Sequence, residues 1–487
     1  MMESRGLNNA GSANAPSVSG EFFKAQFGDV RLNKRAIRFA ESALRRPESS
    51  IPRMAGGADG AEGLYRFLAN ERVTAERIIE PHFAESRERA RVAGAVLLVH
   101  DTTTFGYGQD SKRAGLGPIA GGALGFLDHM TLAVAEHSGR ALGVVAHRPY
   151  VRPAADESRQ ALTPEEKLNR VGRKSQLDAD NESLRWQEQA LAAGRELGDI
   201  VRVHVCDREA DDYKFLGALH DAGEHFVVRV AQDRATSEGV RLFTRMDGMV
   251  AQMCREVRIS AQGKQPGPKQ QARHPQRESR MAKLQMSSGS FQLVRPGRSP
   301  RTAPETLALN FVLVEETEAP EGCTPVQWRL TTTLPVSTAE EIARVVDIYR
   351  KRWTIEEFFK ALKTGCGFNQ HQIESYEGLV KLLALLLPVA WKLLEMRTQA
   401  REMPDAPATV VLTKRQVAVL VALHNRAHPK APLPPKPSVK QAIYAIAGLA
   451  GHFKQNGDPG WQTLGEGLRR LLQAEEDAVA LRDAVRN

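Results

Sequence analysis

The chain has only four cysteines in 487 residues, and Cys206, Cys254, Cys323 and Cys366 stand far apart. Neither the close pairs of a zinc site nor the framework of a disulfide-stapled domain is present, so reduced thiols are expected, with Cys206 buried in a strand. Long apolar runs are missing too. The longest, roughly 382–391, is interrupted by Pro388 and falls well short of the ~20 residues a membrane span needs. The opening MMESRGLNNAGSANAPS lacks the apolar core of a secretion signal, and residues 1–20 read as a flexible tail. A cytoplasmic protein is expected.

What is present is a soluble, mixed composition with 42% apolar and 26% charged residues. The length implies two to four domains. Lys and Arg number 67 against 58 Asp and Glu, a net charge of +9 that suits a polyanionic partner without demanding one.

The hydrophobic pattern divides the chain. Residues 21–73 are helical in pattern, with Asp29 as a candidate N-cap, Ile37, Ala40 and Leu44 on one stripe, and Arg31, Arg35, Arg38 and Arg45 on another. That basic stripe suits a DNA-binding helix and a solvated face equally well. From Ala95 the run AVLLVHD reads as a buried strand ending at Asp101. Two more strands follow, turned by HSGR, then a helical stretch with Leu177, Leu184, Trp186 and Leu191, then the strand IVRVHVCD ending at Asp207. Strand, strand, strand, helix, strand is the opening of an RNase H-like α/β layer fold, a pattern that other α/β folds share.

Between about 231 and 334 the rhythm changes to β-type runs, FQLVRP, LALNFVLVEE and VQWRLTTT, which predict a β-rich insertion. Within it, 262–283 holds six basic residues, Lys264, Lys269, Arg273, Arg277, Arg280 and Lys283, against the single acid Glu278. As a loop, its simplest role is a solvated linker. A capping-box signature, STAE from Ser337, restarts helical pattern as far as Gly365. An apolar helix over 379–396, a linker with five prolines between Pro429 and Pro437, and two more helices complete the chain.

Asp101 and Asp207 each end a strand, a position that turn formers commonly occupy. Glu356 is more telling in its surroundings. In YRKRWTIEEFFKALKTGCG, the residues Tyr349, Arg352, Glu356, Lys360 and Lys363 fall three or four apart and share one face if the helix is continuous. A carboxylate flanked by cations suits metal binding beside a phosphate backbone. Glu356 and Lys360 are also an ordinary surface pair, and Thr354 could cap a new helix.

The segment YRKRWTIEEFFKALK resembles the Y-x2-R-x3-E-x6-K signature of bacterial DDE transposases of the insertion-sequence-four type. DTTTFGY at Asp101, CDREADDY at Asp207, GLYRFLAN, HFVVR, WRLTTTLPV, AIAGLAGHF and GWQTLGEG extend the resemblance in order along nearly the whole chain. The resemblance implies a metal-binding triad of Asp101, Asp207 and Glu356 holding two Mg²⁺ ions, with Mn²⁺ able to substitute. It implies DNA phosphate contacts by Tyr349, Arg352 and Lys363, with Lys360 one turn away, a further phosphate contact by Arg229, and a base-stacking role for Trp328. Arg31 and Arg66 would touch DNA from the N-terminal helices. There the basic helix departs from the family pattern residue by residue, and the stretch 262–283 aligns poorly.

The expected architecture is a helical end-recognition domain over 21–73 and an RNase H-like mixed-sheet catalytic domain over 74–375 with its β insertion. A helical dimerisation domain follows over 376–487. The expected partners are transposon-end DNA, target DNA and a second copy of the chain, at a bacterial nucleoid. A nuclease that cuts without joining and a non-catalytic DNA-binding protein are the rival readings.

Overall fold

The computed structural model describes residues 18–47, 50–153, 182–259, 278–297, 302–453 and 459–486, with Gln276 and Ser299. The start of the tail, Leu177, and the basic residues Lys264, Lys269, Arg273 and Arg277 lie outside the described residues.

Four helices come first: α1 (Val30–Arg45), α2 (Ile51–Met54), α3 (Ala58–Ala69) and α4 (Ala75–Ala93). Asp29 caps α1, its side chain accepting from the Arg31 amide, and Ala36, Phe39, Ala40, Ala43 and Leu44 bury the stripe read from the sequence. Strand β1 (Ala95–Gly106) then enters the core. Because side chains alternate along a strand, Leu97 and Val99 face one side and Val96 and Leu98 the other, and both sides are covered.

Strands β3 (Leu124–Ala135) and β4 (Ala141–Tyr150) form an antiparallel meander with β1, turned at Gly139, whose φ of +76° suits glycine. Helix α5 (Glu182–Leu197) leads to β5 (Val201–Cys206), and α6 (Tyr213–Asp221) leads to β6 (His225–Arg229). Both β5 and β6 run parallel to β1. The order β4, β3, β1, β5, β6, three antiparallel strands followed by two parallel ones, is an RNase H-like core.

The β-rich segment does not form a sheet of its own. Strand β10 (Gln327–Thr332) pairs antiparallel with β6, and β9 (Thr306–Glu316), β8 (Arg280–Val294) and β7 (Ala251–Ile259) continue outward from it. With the two-residue β2 (Gly117–Pro118) beside β3, one ten-stranded sheet results. Strand β7 and the first half of β8 are the strands that the apolar runs do not reveal. Their outer positions are exposed and polar, as in Glu256, Arg258 and Lys283, and half-buried Arg255 stands on the inner face, so the alternation is diluted.

After a short α7 (Leu242–Asp247) within that segment, helices resume with α8 (Ala339–Arg350). Its capping box uses Thr338 and Glu341, one residue later than the spacing suggested, and Glu341 also accepts from the Ser337 amide. The helix is not continuous to Gly365. It breaks at Lys351 and Arg352, restarts as α9 (Trp353–Lys360), and widens into a π turn, Ala361–Gly365.

Helix α10 (Tyr376–Glu402) is buried along residues 382–391 and packs on α1, α4 and β4, where the Trp391 indole donates to the Ala141 carbonyl at 3.0 Å. Buried Lys381 reaches back to α3, donating to the Leu68 carbonyl at 3.0 Å and pairing with Glu377 at 2.7 Å. A cation at a helix C-terminus satisfies carbonyls that the helix leaves open. Helices α11 (Lys414–Ala427), α12 (Val439–Leu449) and α13 (Trp461–Arg486) close the C-terminal side. No helix among the described residues is long and apolar enough to cross a membrane.

Among the described residues, His82, His100, His129 and His204 are fully buried. Burial, the largest cause at each, lowers their affinity for a proton below the usual imidazole value of 6.5. The unfolded chain binds protons there more readily than the folded one, so the stability from neutral burial is full above pH 6.5 and is lost as pH falls. A melting temperature that falls steadily from pH 7 to pH 5 is expected by differential scanning fluorimetry; a flat or rising curve contradicts this. Separately, Lys381→Met keeps the apolar stem but strips the cap from α3, and should cost about 1–3 kcal/mol in urea denaturation.

Candidate active site

Strand pairing builds the centre of the site. Strands β1 and β5 run parallel with Val99 opposite Val205, so two residues further along, Asp101 and Asp207 emerge side by side. Asp101 lies within β1 and its Oδ1 accepts the Thr102 amide at 2.8 Å. Asp207 follows β5 and caps a short turn, accepting from the Glu209 amide at 2.8 Å. Asp207 is the strand-end acid that the sequence suggested, whereas Asp101 is not: β1 runs on to Gly106 because residues 102–106 keep pairing with β3.

The third acid arrives from the helical side. Helix α8 lies over β5 and β6, and α9 over β1. The break between them turns Arg352 inward, where its guanidinium donates to Glu356 and to Asp101 Oδ2 at 3.4 Å. Arg352 is buried, and Tyr349, Glu356 and Asp101 together raise its proton affinity against the opposing cost of burial. Asp101 moves the opposite way from a normal acid: burial foremost, then the charges of Asp207 and Glu356, push its carboxyl up to about 7, against the pull of Arg352. The three acids therefore share one electrostatic environment, with Arg352 as the cation that bridges two of them.

The sheet extension brings the next layer. Because β10 pairs with β6, Leu330 lies opposite Arg229 and carries Trp328 past the end of the core. The half-buried Trp328 ring meets Tyr349 edge-on at 5.7 Å. Arg229 donates to the Gln327 carbonyl at 3.1 Å, and burial, foremost, lowers its proton affinity, with Arg208 and Arg352 adding repulsion and Tyr349 offsetting it. Lys363, in the π turn, holds its Nζ 5.3 Å from the Phe105 ring; burial lowers its proton affinity to about 8 and Asp101 partly restores it. Pairwise contacts and charge interactions thus link Asp101, Asp207, Glu356, Arg352, Tyr349, Lys363, Arg229 and Trp328 into one cluster.

Three predicted residues lie elsewhere. Lys360 turns to Glu357, at 2.9 Å, and is more than half exposed. Arg31 is fully in solvent beside Asp29 at 3.0 Å, and Arg66 pairs with Glu62 on α3. Sequence reasoning also passed over two groups. Arg208, directly after Asp207 in DREAD, stands exposed near Arg229. Behind β1, on the face opposite Asp101, His100 bonds His204 at 2.8 Å and Thr131 at 3.0 Å, and His204 meets Glu224 at 3.3 Å. The signal for those histidines was present: each interrupts an otherwise apolar strand shortly before an aspartate, where a buried polar side chain needs partners.

Among the described residues, no three His, Cys, Asp or Glu side chains stand close enough to hold a metal ion as they lie. The donor chemistry nevertheless suits one. Three carboxylates are hard oxygen ligands of the kind Mg²⁺ prefers, and the raised affinity of Asp101 for a proton marks a place where positive charge is wanted.

Two family matches fall on this framework: residues 16–73 match a family described as transposase DNA-binding, and residues 188–390 match one described as transposase DDE domain. The second match takes in β5, β6, the β-rich segment, α8, α9 and part of α10; Asp101 lies before it, joined to it by the β1 and β5 pairing. Among solved structures, the chain is similar to a piggyBac transposase in a synaptic complex with hairpin DNA. The identity is 9%, 96% of this chain and 84% of that one are covered, and the TM-score is 0.39, a likeness too slight to say anything of function. DDE transposase domains work with divalent metal ions, and with such a domain following a transposase DNA-binding domain, the chain is a DDE transposase.

Proposed function

We propose that the enzyme cuts a mobile element out of DNA and joins its 3′ ends to a target, as a transposase of the insertion-sequence-four type close to that of transposon five. The observation that carries the reading is the gathering of Asp101, Asp207 and Glu356 about Arg352, ringed by Arg229, Tyr349, Lys363 and Trp328. Phosphodiester cleavage needs an activated oxygen nucleophile and a counter to the charge that builds at phosphorus and on the leaving oxygen. Divalent ions held by the three acids, two of them on the two-metal pattern and most simply Mg²⁺, would supply that chemistry.

The chain's own residues handle the rest. Arg352, when it gives up Asp101 and Glu356, becomes a free bidentate donor for a phosphate beside them. Arg229 and Arg208 extend that cationic lining, and Tyr349, buried between Arg229 and Trp328, adds a hydroxyl. Lys363, with its proton affinity lowered to about 8, can hold or release a proton near neutral pH beside Asp101. Trp328 offers an aromatic edge at the rim on which an unstacked base can rest.

On this reading one strand is nicked by water, the freed 3′ hydroxyl attacks the opposite strand to give a hairpin, water reopens it, and the 3′ ends attack target DNA. Each step is an in-line displacement at phosphorus, so one site serves all four. The helices before β1, with Arg31 and Arg66 exposed upon them, would grip the element's end. The C-terminal helices would pair two copies of the chain across two ends.

Glu356→Ala should abolish nicking of a plasmid carrying the element's flanking DNA in Mg²⁺; unchanged nicking would end the catalytic reading. Wild-type protein that nicks but never joins pre-cleaved ends to a second plasmid is a nuclease instead. For Trp328→Ala, first-strand nicking should survive within about twofold. Hairpin formation should fall about tenfold, which corresponds to ~1.4 kcal/mol of lost stacking. Equal loss of both steps removes the base-stacking role.

A further inference from the structure

Glu357 follows Glu356 directly on α9, but a step of one residue turns its side chain about 100° around the helix. It leaves the acidic centre and enters the C-terminal helices. Its Oε2 accepts from Arg397 Nη1 of α10 at 2.8 Å and from the indole Nε1 of Trp461, the first residue of α13, at 3.2 Å. Its Oε1 takes Lys360 Nζ at 2.9 Å. The Arg397 guanidinium also lies 4.5 Å from the centroid of the Trp461 ring, so the two donors brace each other. Arg397 and Trp461 are both largely buried, which sets this cluster apart from a solvated surface pair.

Three helices therefore meet at one carboxylate. Trp461 continues the contact into an apolar recess lined by Gly365, Leu393, Met396, Ile446 and Leu464, directly against the π turn that carries Lys363. Gly365 lies close against this recess: the position its Cβ would take is 3.6 Å from Leu393 and 3.8 Å from the Trp461 ring, ordinary contact distances.

We propose that Glu357 is a positioning residue that couples the seating of α13 to the aim of Glu356. The inference rests on the reading of Glu356 as an active-site carboxylate. Helix α9 has only eight residues and is cut off from α8 by the break at Lys351 and Arg352, so no long helix fixes its rotation. Side-chain tips lie about 6 Å from a helix axis, so a rotation of only about 5° moves a carboxylate by about 0.5 Å, the limit that a catalytic constellation tolerates. Buried Ile355 and Phe358 hold one face of α9, and the Glu357 cluster adds a polar rotational stop from the C-terminal side. Seating of the last helix thereby becomes a condition for a well-formed site.

The test compares full-length wild type with Glu357→Gln, Trp461→Phe and Glu356→Ala. Glu357→Gln keeps the shape but cannot balance Arg397; Trp461→Phe keeps the ring but loses one donor. In the absence of DNA, the rise in melting temperature on adding Mg²⁺ reports binding of the metal alone. The expected result for Glu357→Gln is a five- to tenfold increase in the Mg²⁺ concentration at half-maximal rise. A matching fall in single-turnover nicking should accompany it, with DNA affinity unchanged. Trp461→Phe should shift the same two quantities two- to threefold, and it decides the matter if Glu357→Gln does not fold. A lower metal-free melting temperature without a shift in Mg²⁺ dependence makes the cluster merely structural and overturns the proposal. If Glu356→Ala leaves Mg²⁺ binding and nicking unchanged, the reading of the site itself has failed. If Glu356→Ala loses both while neither other variant shifts either, the site stands and the coupling is wrong.

Discussion

Two aspartates that emerge side by side from parallel strands repel one another, and much of this structure is arranged about that repulsion. The pairing of β1 with β5 sets Asp101 beside Asp207, and burial together with that neighbouring charge raises the cost of charging Asp101. A hydrophobic core alone cannot offset such a cost; a cation must stand nearby. Here Arg352 provides it, bridging Asp101 and Glu356 from the break between two helices. The place in the sheet where like charges are forced together is also the place where a metal ion and a phosphate would find complementary charge.

The single ten-stranded sheet carries this arrangement outward. Strand β6 lies next to β5 and bears Arg229, β10 lies next to β6 and bears Trp328, and the helices α8 and α9 cross above. A separate β module would have left Trp328 free to be anywhere. Pairing of β10 to the core edge makes its position a matter of register. Below and beside these layers, α10 binds the early helices and the C-terminal ones to the same core through Lys381, Trp391 and Arg397. The chemical centre is held by elements drawn from nearly every part of the chain.

A good deal of this could be read from residues alone. The run AVLLVHD carries its own burial, because a strand covered on both faces must be apolar at consecutive positions, but not its end, since pairing with β3 carries β1 on to Gly106. The spacing from Tyr349 to Lys363 marked the helical segment beside the acids. Where reading failed, the cause is identifiable. Residues Tyr349, Arg352, Glu356 and Lys363 meet at one centre while Lys360 turns to Glu357, because the helix breaks at Lys351 and widens again at Ala361; ideal periodicity assumes neither. The early part of β8 and the whole of β7 escaped because exposed edge strands hide their alternation among charged residues. Arg31 and Arg66 stand on the surface with local acidic partners, so only a bound DNA could give them a shared purpose.

By itself the sequence determined the order of the core strands and of most helices, the absence of clustered thiols, and the motif spacing that singles out the three acids and their cationic neighbours. These are properties of local pattern: hydrophobic period, capping residues and motif spacing act within a few residues and leave a direct trace. Only the tertiary structure decided that the β-rich segment extends the core sheet, that Arg352 bridges two of the acids, and that Glu357 faces the last helix. Those outcomes depend on strand pairing and helix packing between residues about a hundred or more positions apart, and a sequence carries no local mark of which distant partner will arrive.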